Sequence, residues 1–132
     1  MTIQFFMRPF VLLMLMITLT VACEQHEPED VLLHMHNATI RVSVNLLQGG
    51  VNGQLVYIPI SGATAELYST EDDRDNSTEM VAVRNSDSAG LAVFTGLKED
   101  YYYLRVYHPA YGTVYDETAT PDGSVSLVQI DF

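Results

Sequence analysis

Residues 87–112 read D-S-A-G-L-A-V-F-T-G-L-K-E-D-Y-Y-Y-L-R-V-Y-H-P-A-Y-G, and their pattern decides the fold class. Asp87–Gly90 supplies turn residues, with Gly90 free to take positive φ. Beyond it Ala92 and Phe94 point to one side and Leu91, Val93 and Thr95 to the other, because side chains alternate along a strand. Gly96–Asp100 makes a second loop with Leu97 as its plug. Tyr102, Leu104 and Val106 then form an inward row and leave Tyr101, Tyr103, Arg105 and Tyr107 on the opposite face. His108-Pro109 ends the ladder, since Pro has no N–H to give it. The stretch predicts a half-buried antiparallel hairpin.

The same alternation extends in both directions. Thr39–Leu47 places Ile40, Val42, Val44 and Leu46 inward and Arg41, Ser43 and Asn45 outward. A glycine-rich turn over residues 48–53 leads into β character at Leu55–Ile58, up to Pro59. Ala63, Ala65 and Leu67 make a further inward row, with Thr64, Glu66 and Tyr68 outward. Residues 69–78 are a long polar loop. Met80–Arg84 follows with Val81 and Val83 inward. Thr113–Tyr115 and Val125–Phe132 supply the last strands, and a change of phase predicts a bulge near Ser126. With turn signals about every ten residues and no helical pattern after residue 22, the chain reads as all-β. It is a small antiparallel β-sandwich of about seven strands. The strands are too short for a transmembrane barrel.

Two pieces of this pattern resemble a known family. Gly90-x-Ala92-x-Phe94-x-Gly96-Leu97, Tyr102-x-Leu104-x-Val106 and Tyr111-Gly112, with the upstream Pro59-Ile60-Ser61-Gly62-Ala63-Thr64-Ala65-Glu66-Leu67, look like the carboxypeptidase regulatory-like domain. That domain is a prealbumin-like β-sandwich related to the Cna B-type repeat. The resemblance covers residues 38–132. It departs from the family at Asp100, where Gly is usual, and at Ala89, where Asp is usual. The motifs are structural, so the resemblance implies a fold and not an activity. Related Cna B-type domains often carry a Lys–Asn isopeptide bond. Here Arg41 occupies the first strand and residues 124–132 contain no Asn, and a guanidinium stays protonated and cannot serve as the nucleophile.

The first 37 residues read differently. Arg8 gives a positive start, Val11–Thr20 an apolar run, and Thr20-Val21-Ala22 leads to the chain's one cysteine, Cys23. The run is short for a membrane span, which needs about 20 residues. The pattern resembles a bacterial lipobox with Thr20 where Leu is usual; an ordinary signal peptide and an uncleaved anchor are the alternatives. Residues 1–22 are then a lipoprotein signal peptide, and residues 23–37 a lipidated Cys23 with an acidic flexible tether. Its acidic run, residues 24–30, suits a solvated spacer or an export signal of surface-exposed lipoproteins. With one Cys no disulfide can form within the chain.

The net charge is −11, and loss of Arg8 makes the processed chain one unit more acidic. No basic patch survives that balance, so nucleic acid is not an expected partner.

The search for chemistry returns little. His34-x-His36 could share one strand face, but spacing names no third metal ligand. Asp73 and Asp75 are a weak calcium candidate inside residues 71–79. An EF-hand is excluded, because Thr78 and Arg84 fall where Gly and Glu are required. The carboxylate pairs Asp72-Asp73, Glu99-Asp100 and Asp116-Glu117 sit in predicted turns. No motif for nucleophilic, metal or phosphate chemistry is present, and no cofactor is implied. The remaining signal is the outward row Tyr103, Arg105 and Tyr107, in a chain with eight tyrosines. It is either plain β-propensity or an aromatic contact face for a protein or glycan.

These readings lead to a non-catalytic, lipid-anchored cell-envelope module for binding or adhesion, held at the outer membrane on its surface or periplasmic side. A structural accessory subunit of a surface transport or pilus-like complex is the alternative, with a hydrolase behind both.

Overall fold

The computed structural model describes residues 35–132. They form eight strands: β1 (Ala38–Gly49), β2 (Leu55–Pro59), β3 (Thr64–Tyr68), β4 (Ala82–Asn85), β5 (Leu91–Leu97), β6 (Tyr101–His108), β7 (Gly112–Ala119) and β8 (Val125–Asp131). A 3-10 turn at Val51–Gly53 joins β1 to β2, and a short helix α1 (Glu71–Asn76) joins β3 to β4. The strands divide into two four-stranded sheets, one of β2, β1, β5 and β8, the other in the order β4-β3-β6-β7.

β1 is the spine of the first sheet. Its inward side chains Ile40, Val42 and Val44 are wholly buried. They meet Phe94 of β5 and Val128 and Ile130 of β8 on their own sheet, and Ala65, Leu67, Tyr102, Leu104 and Val106 from the other. Each such side chain contributes roughly 1.5–3 kcal/mol by leaving water, so the alternation found in the sequence is what closes the two sheets on each other. Gly90 holds the corner where β5 and β2 meet β1. Its φ is +73°, and a Cβ there would lie 2.5 Å from the Val44 carbonyl oxygen, so the position accepts only glycine.

Residues 91–107 depart from the expected hairpin. β5 pairs with β1, while β6 pairs with β3 and β7. The two strands lie in different sheets, and the loop between them crosses the sandwich. Both inward rows are as expected: Ala92 and Phe94 from one sheet face Tyr102, Leu104 and Val106 from the other. The crossing is held by Leu97, buried at the loop, and by the Tyr102 hydroxyl, which accepts from the backbone N–H of Lys98 and Glu99 at 3.2 and 3.1 Å. Thr120, also buried, donates its hydroxyl to the Glu99 carbonyl at 2.6 Å. Alternation states which side chains face inward and not which strand lies beside which.

Four further details correct the sequence reading. First, β1 and β8 run parallel in continuous register from Thr39↔Val125 to Asn45↔Asp131. The sandwich is therefore not wholly antiparallel. Second, no bulge interrupts that register at Ser126. Val125 and Leu127 simply face solvent in phase with Gln129, and the one register shift in this sheet lies between Ala38 and Ile40 against β5. Third, β4 has the opposite phase to the one expected. Ala82 and Arg84 stand opposite Leu67 and Ala65, and Val81 and Val83 are exposed. The Arg84 guanidinium lies 6.0 Å over the Phe94 ring, so an amphipathic side chain covers the sandwich edge where a valine was expected. Fourth, the polar loop contains α1.

Candidate functional site

Helix α1 forms because Thr70 caps it. The Thr70 hydroxyl accepts from the Asp73 backbone N–H at 3.1 Å and donates to Asp73 Oδ2 at 2.6 Å. This is an N-cap with Asp at the third helical position, legible in T-E-D-D but concealed by the polarity of the segment. Three acidic residues occupy its first turn, where the helix dipole favours them, and Ser77 closes it in the left-handed conformation.

The helix lies on the outer face of the second sheet, which is where the tyrosine row stands. Tyr103, Arg105 and Tyr107 do share the outward side of β6, but they do not make one open surface. The Arg74 guanidinium sits 5.5 Å from the Tyr103 ring and 5.3 Å from the Tyr115 ring. Arg105 Nη1 donates to the Ser77 hydroxyl and lies 3.5 Å from Glu66 Oε2. Its Nε is enclosed without a hydrogen-bond partner. Only Tyr107, 42% exposed, remains open. Tyr68, outward as its alternation places it, is nonetheless 1% exposed on this same face and donates its hydroxyl to Glu66 at 2.8 Å. Burial, and then the Glu66 carboxylate beside it, push the Tyr68 hydroxyl above its ordinary pKa.

Arg74 is the residue that sequence reasoning missed. It is a charged group at 8% exposure, bonded through Nε to Asp75 at 2.9 Å and through Nη2 to Glu71 at 3.0 Å. Burial works against its charge, but the hydrogen-bonded Asp75 and Glu71 carboxylates outweigh it and hold its pKa above the ordinary value. A cation inside an acidic segment is a signal the sequence does contain: Arg74 is the only base in residues 42–83.

The carboxylates proposed for metal binding are engaged in this structure-building. Asp73 accepts from the Thr70 and Thr78 hydroxyls, and Asp75 from Arg74. Among the described residues no group of three or more His, Cys, Asp or Glu side chains is placed to hold a metal ion. His36 is fixed by the Thr120 carbonyl at 2.9 Å and by Asp100 at 3.3 Å. His34 and Cys23 lie outside the described residues.

Elsewhere, a depression of about 460 Å³ on the outer side of the first sheet is lined by Arg41, Ser43, Leu91, Leu127 and Gln129. The other open feature is the β1–β2 hairpin. Leu55, Val56, Tyr57 and Ile58 are 60, 46, 49 and 39% exposed, and Val51 at its tip is 88% exposed. No helix among the described residues is long and apolar enough to cross a membrane.

No family profile matches this chain, and no curated protein matches it. Solved structures do. A part of the Bacillus anthracis TIE protein superposes with a TM-score of 0.51 at 10% identity, over 73% of this chain and 16% of that one. GBS52, the minor pilin of Streptococcus agalactiae, superposes with a TM-score of 0.55 at 15% identity, over 74% of this chain and 44% of that one. A Pseudomonas aeruginosa protein provisionally described as carbohydrate-binding gives 0.47 at 12% identity, over 75% and 90%. The chain thus spans less than half the length of the first two. At these identities the likeness is one of fold: a β-sandwich domain of the kind found in a pilin.

Proposed function

We propose that this chain is a non-catalytic, lipid-anchored β-sandwich module of the cell envelope that works by binding a protein. Cys23 is its anchor, residues 24–37 its tether, and the outer membrane, on its surface or periplasmic side, its place. The observation that carries the binding reading is where exposed apolar side chains gather. The tyrosine face is broken up by Arg74 and Arg105, which lie among its exposed rings and engage Tyr103, Tyr115 and Ser77, whereas Leu55–Ile58 stand open side by side, with no charged residue among them, on a strand edge. A contiguous exposed apolar patch is the ordinary mark of a contact surface. The same geometry weighs against a sugar platform on Tyr103, Arg105 and Tyr107, because a guanidinium already lies over one of the rings.

A second reading, an accessory subunit of a pilus-like or transport assembly, draws on the sandwich shared with a minor pilin. Both readings require the anchor. Cys23→Ser should move the full chain from the membrane to the soluble fraction and abolish incorporation of labelled fatty acid. A variant that fractionates with membranes as the parent does overturns the lipoprotein reading.

A further inference from the structure

The free edge of β2 has a defined hydrogen-bonding pattern. The Val44 N–H donates to Gly90, and the Val44 carbonyl accepts from Ile60, so Val44 turns both groups to the β5 and β2 side of β1. Alternation then gives Leu46 and Gln48 the same direction, and their register partners Ile58 and Val56 bond back to them. The N–H and C=O groups of Leu55 and Tyr57 consequently point away from β1, along an edge that no other described strand occupies.

Edge strands are usually blunted by charge, by a bulge or by proline. Here Pro59 stands only at the end of β2, and residues 42–65 carry no charged side chain. In a chain of net charge −11, that neutral stretch is where a second copy can approach with least like-charge repulsion. A foreign partner selected by charge would instead seek the acidic loops.

We infer that β2 is the docking edge of this domain and that its occupant is β2 of a second copy, paired antiparallel about a two-fold axis at Tyr57. The pairing is self-complementary, as an isologous interface must be. Tyr57 exchanges both backbone hydrogen bonds with its counterpart, and the Leu55 N–H of each copy reaches the Pro59 carbonyl of the other. Pro59, lacking an N–H, costs one bond in each half of the pair. The exposed side chains of Leu55, Val56, Tyr57 and Ile58 then continue across both faces of one extended sheet. This inference rests on the binding reading above and names its partner.

Opposed residues in such a hydrogen-bonded pair have Cα atoms about 5.5 Å apart, inside the range a disulfide spans. Tyr57→Cys in the full chain, purified in detergent and exposed to a mild oxidant, should give a dimer-mass species on a non-reducing gel. Leu127→Cys, on the same sheet and more exposed than Tyr57 (78 against 49%), and the parent with Cys23 alone should give at least tenfold less. Sedimentation of the parent should show a monomer–dimer equilibrium that Ile58→Lys shifts to monomer by at least tenfold in dissociation constant. A parent monomeric to about 100 μM, or crosslinking equal at positions 57 and 127, overturns the inference. A mixed disulfide of another mass in cells also overturns it, assigning the edge to a foreign strand. Because the assay runs in detergent at fixed concentration, it reads self-pairing whether or not Cys23→Ser has removed the anchor.

Discussion

The outer face of the β4-β3-β6-β7 sheet and the β1–β2 hairpin treat apolar side chains in opposite ways. The first is rich in tyrosine and ringed with charge, and part of it is taken up within the fold, while Tyr101, Tyr107 and Tyr115 stay 39, 42 and 54% exposed. Arg74 lies between Tyr103 and Tyr115, Tyr68 is buried beside Glu66, and Arg105 ties the sheet to Ser77. The hairpin has one tyrosine and no charge, and its aliphatic side chains stand in solvent. A tyrosine row in sequence therefore does not by itself make one continuous open surface. What separates the two regions is whether a neighbouring segment carries the charges that can lie down on the face. Residues 69–78 supply them for the sheet, and nothing in residues 48–62 does so for the hairpin.

The scale against which both regions are judged is the core. Tyr102→Ala removes a ring at 2% exposure and the acceptor for two backbone N–H groups, and should cost about 3–5 kcal/mol in urea unfolding. Tyr103→Ala, one residue along on the covered face, should cost no more than about half as much. Equal costs would make the helix-covered face a second core and erase its distinction from the first.

Arg74→Ala tests the cover itself. It removes two charge-assisted hydrogen bonds and the guanidinium that lies against two rings, and should cost about 2 kcal/mol. Residues 69–78 should also become more sensitive to protease. Arg74→Lys should recover less than half of the loss, because a point charge cannot bond Asp75 and Glu71 while lying flat on tyrosine. Full recovery by lysine would show that charge alone holds the helix, and that the tyrosine face is open after all.

How much of this was legible beforehand differs between the two sheets' interiors and their edges. The inward rows Ile40–Val44, Tyr102–Val106 and Val128–Ile130 are as alternation places them, since burying one face of a strand fixes its phase. Strand neighbours were not legible. The β5–β6 connection reads locally as a hairpin, and only the burial of Leu97 and the bonds to Tyr102 and Thr120 reveal a crossing. The phase of β4 was missed because Val81 and Val83 are better apolar residues than Ala82 and Arg84, and the fold uses the arginine stem instead. Helix α1 was missed because a six-residue helix made almost wholly of charged residues has no hydrophobic period to detect; its one sequence sign was the cap at Thr70. The tyrosine row was placed on the correct side of β6, but its cover lay in a segment read as loop.

Tyr68→Phe has a smaller effect, and one that depends on pH. Near neutrality the lost bond to Glu66 should cost about 1 kcal/mol or less. Burial first and the Glu66 carboxylate second raise the folded-state pKa of Tyr68 above 10.0. Below pH 10 both folded and unfolded chains keep the proton, and the contribution is fully present. As pH rises further the unfolded chain ionises first, binds fewer protons than the folded one, and stability falls until the folded-state pKa is passed. The parent should therefore lose stability more steeply above pH 10 than Tyr68→Phe does. Parallel curves would mean that water reaches Tyr68, and that the covered face is no drier than the hairpin.

The hairpin should yield the smallest effect of all. Leu55 is 60% exposed on β2, so little of its apolar surface is withdrawn from water on folding, and Leu55→Thr exchanges it for a side chain equally suited to a strand. In dilute solution the change should lie within about 0.5 kcal/mol of the parent by urea unfolding, as surface substitutions do. A loss of about 2 kcal/mol would show that the hairpin packs against something within its own chain and belongs with the covered face. A null result has the opposite consequence. The fold would then not require an apolar residue at position 55, and the apolar character of Leu55–Ile58 would be available to whatever pairs with the backbone groups beside it.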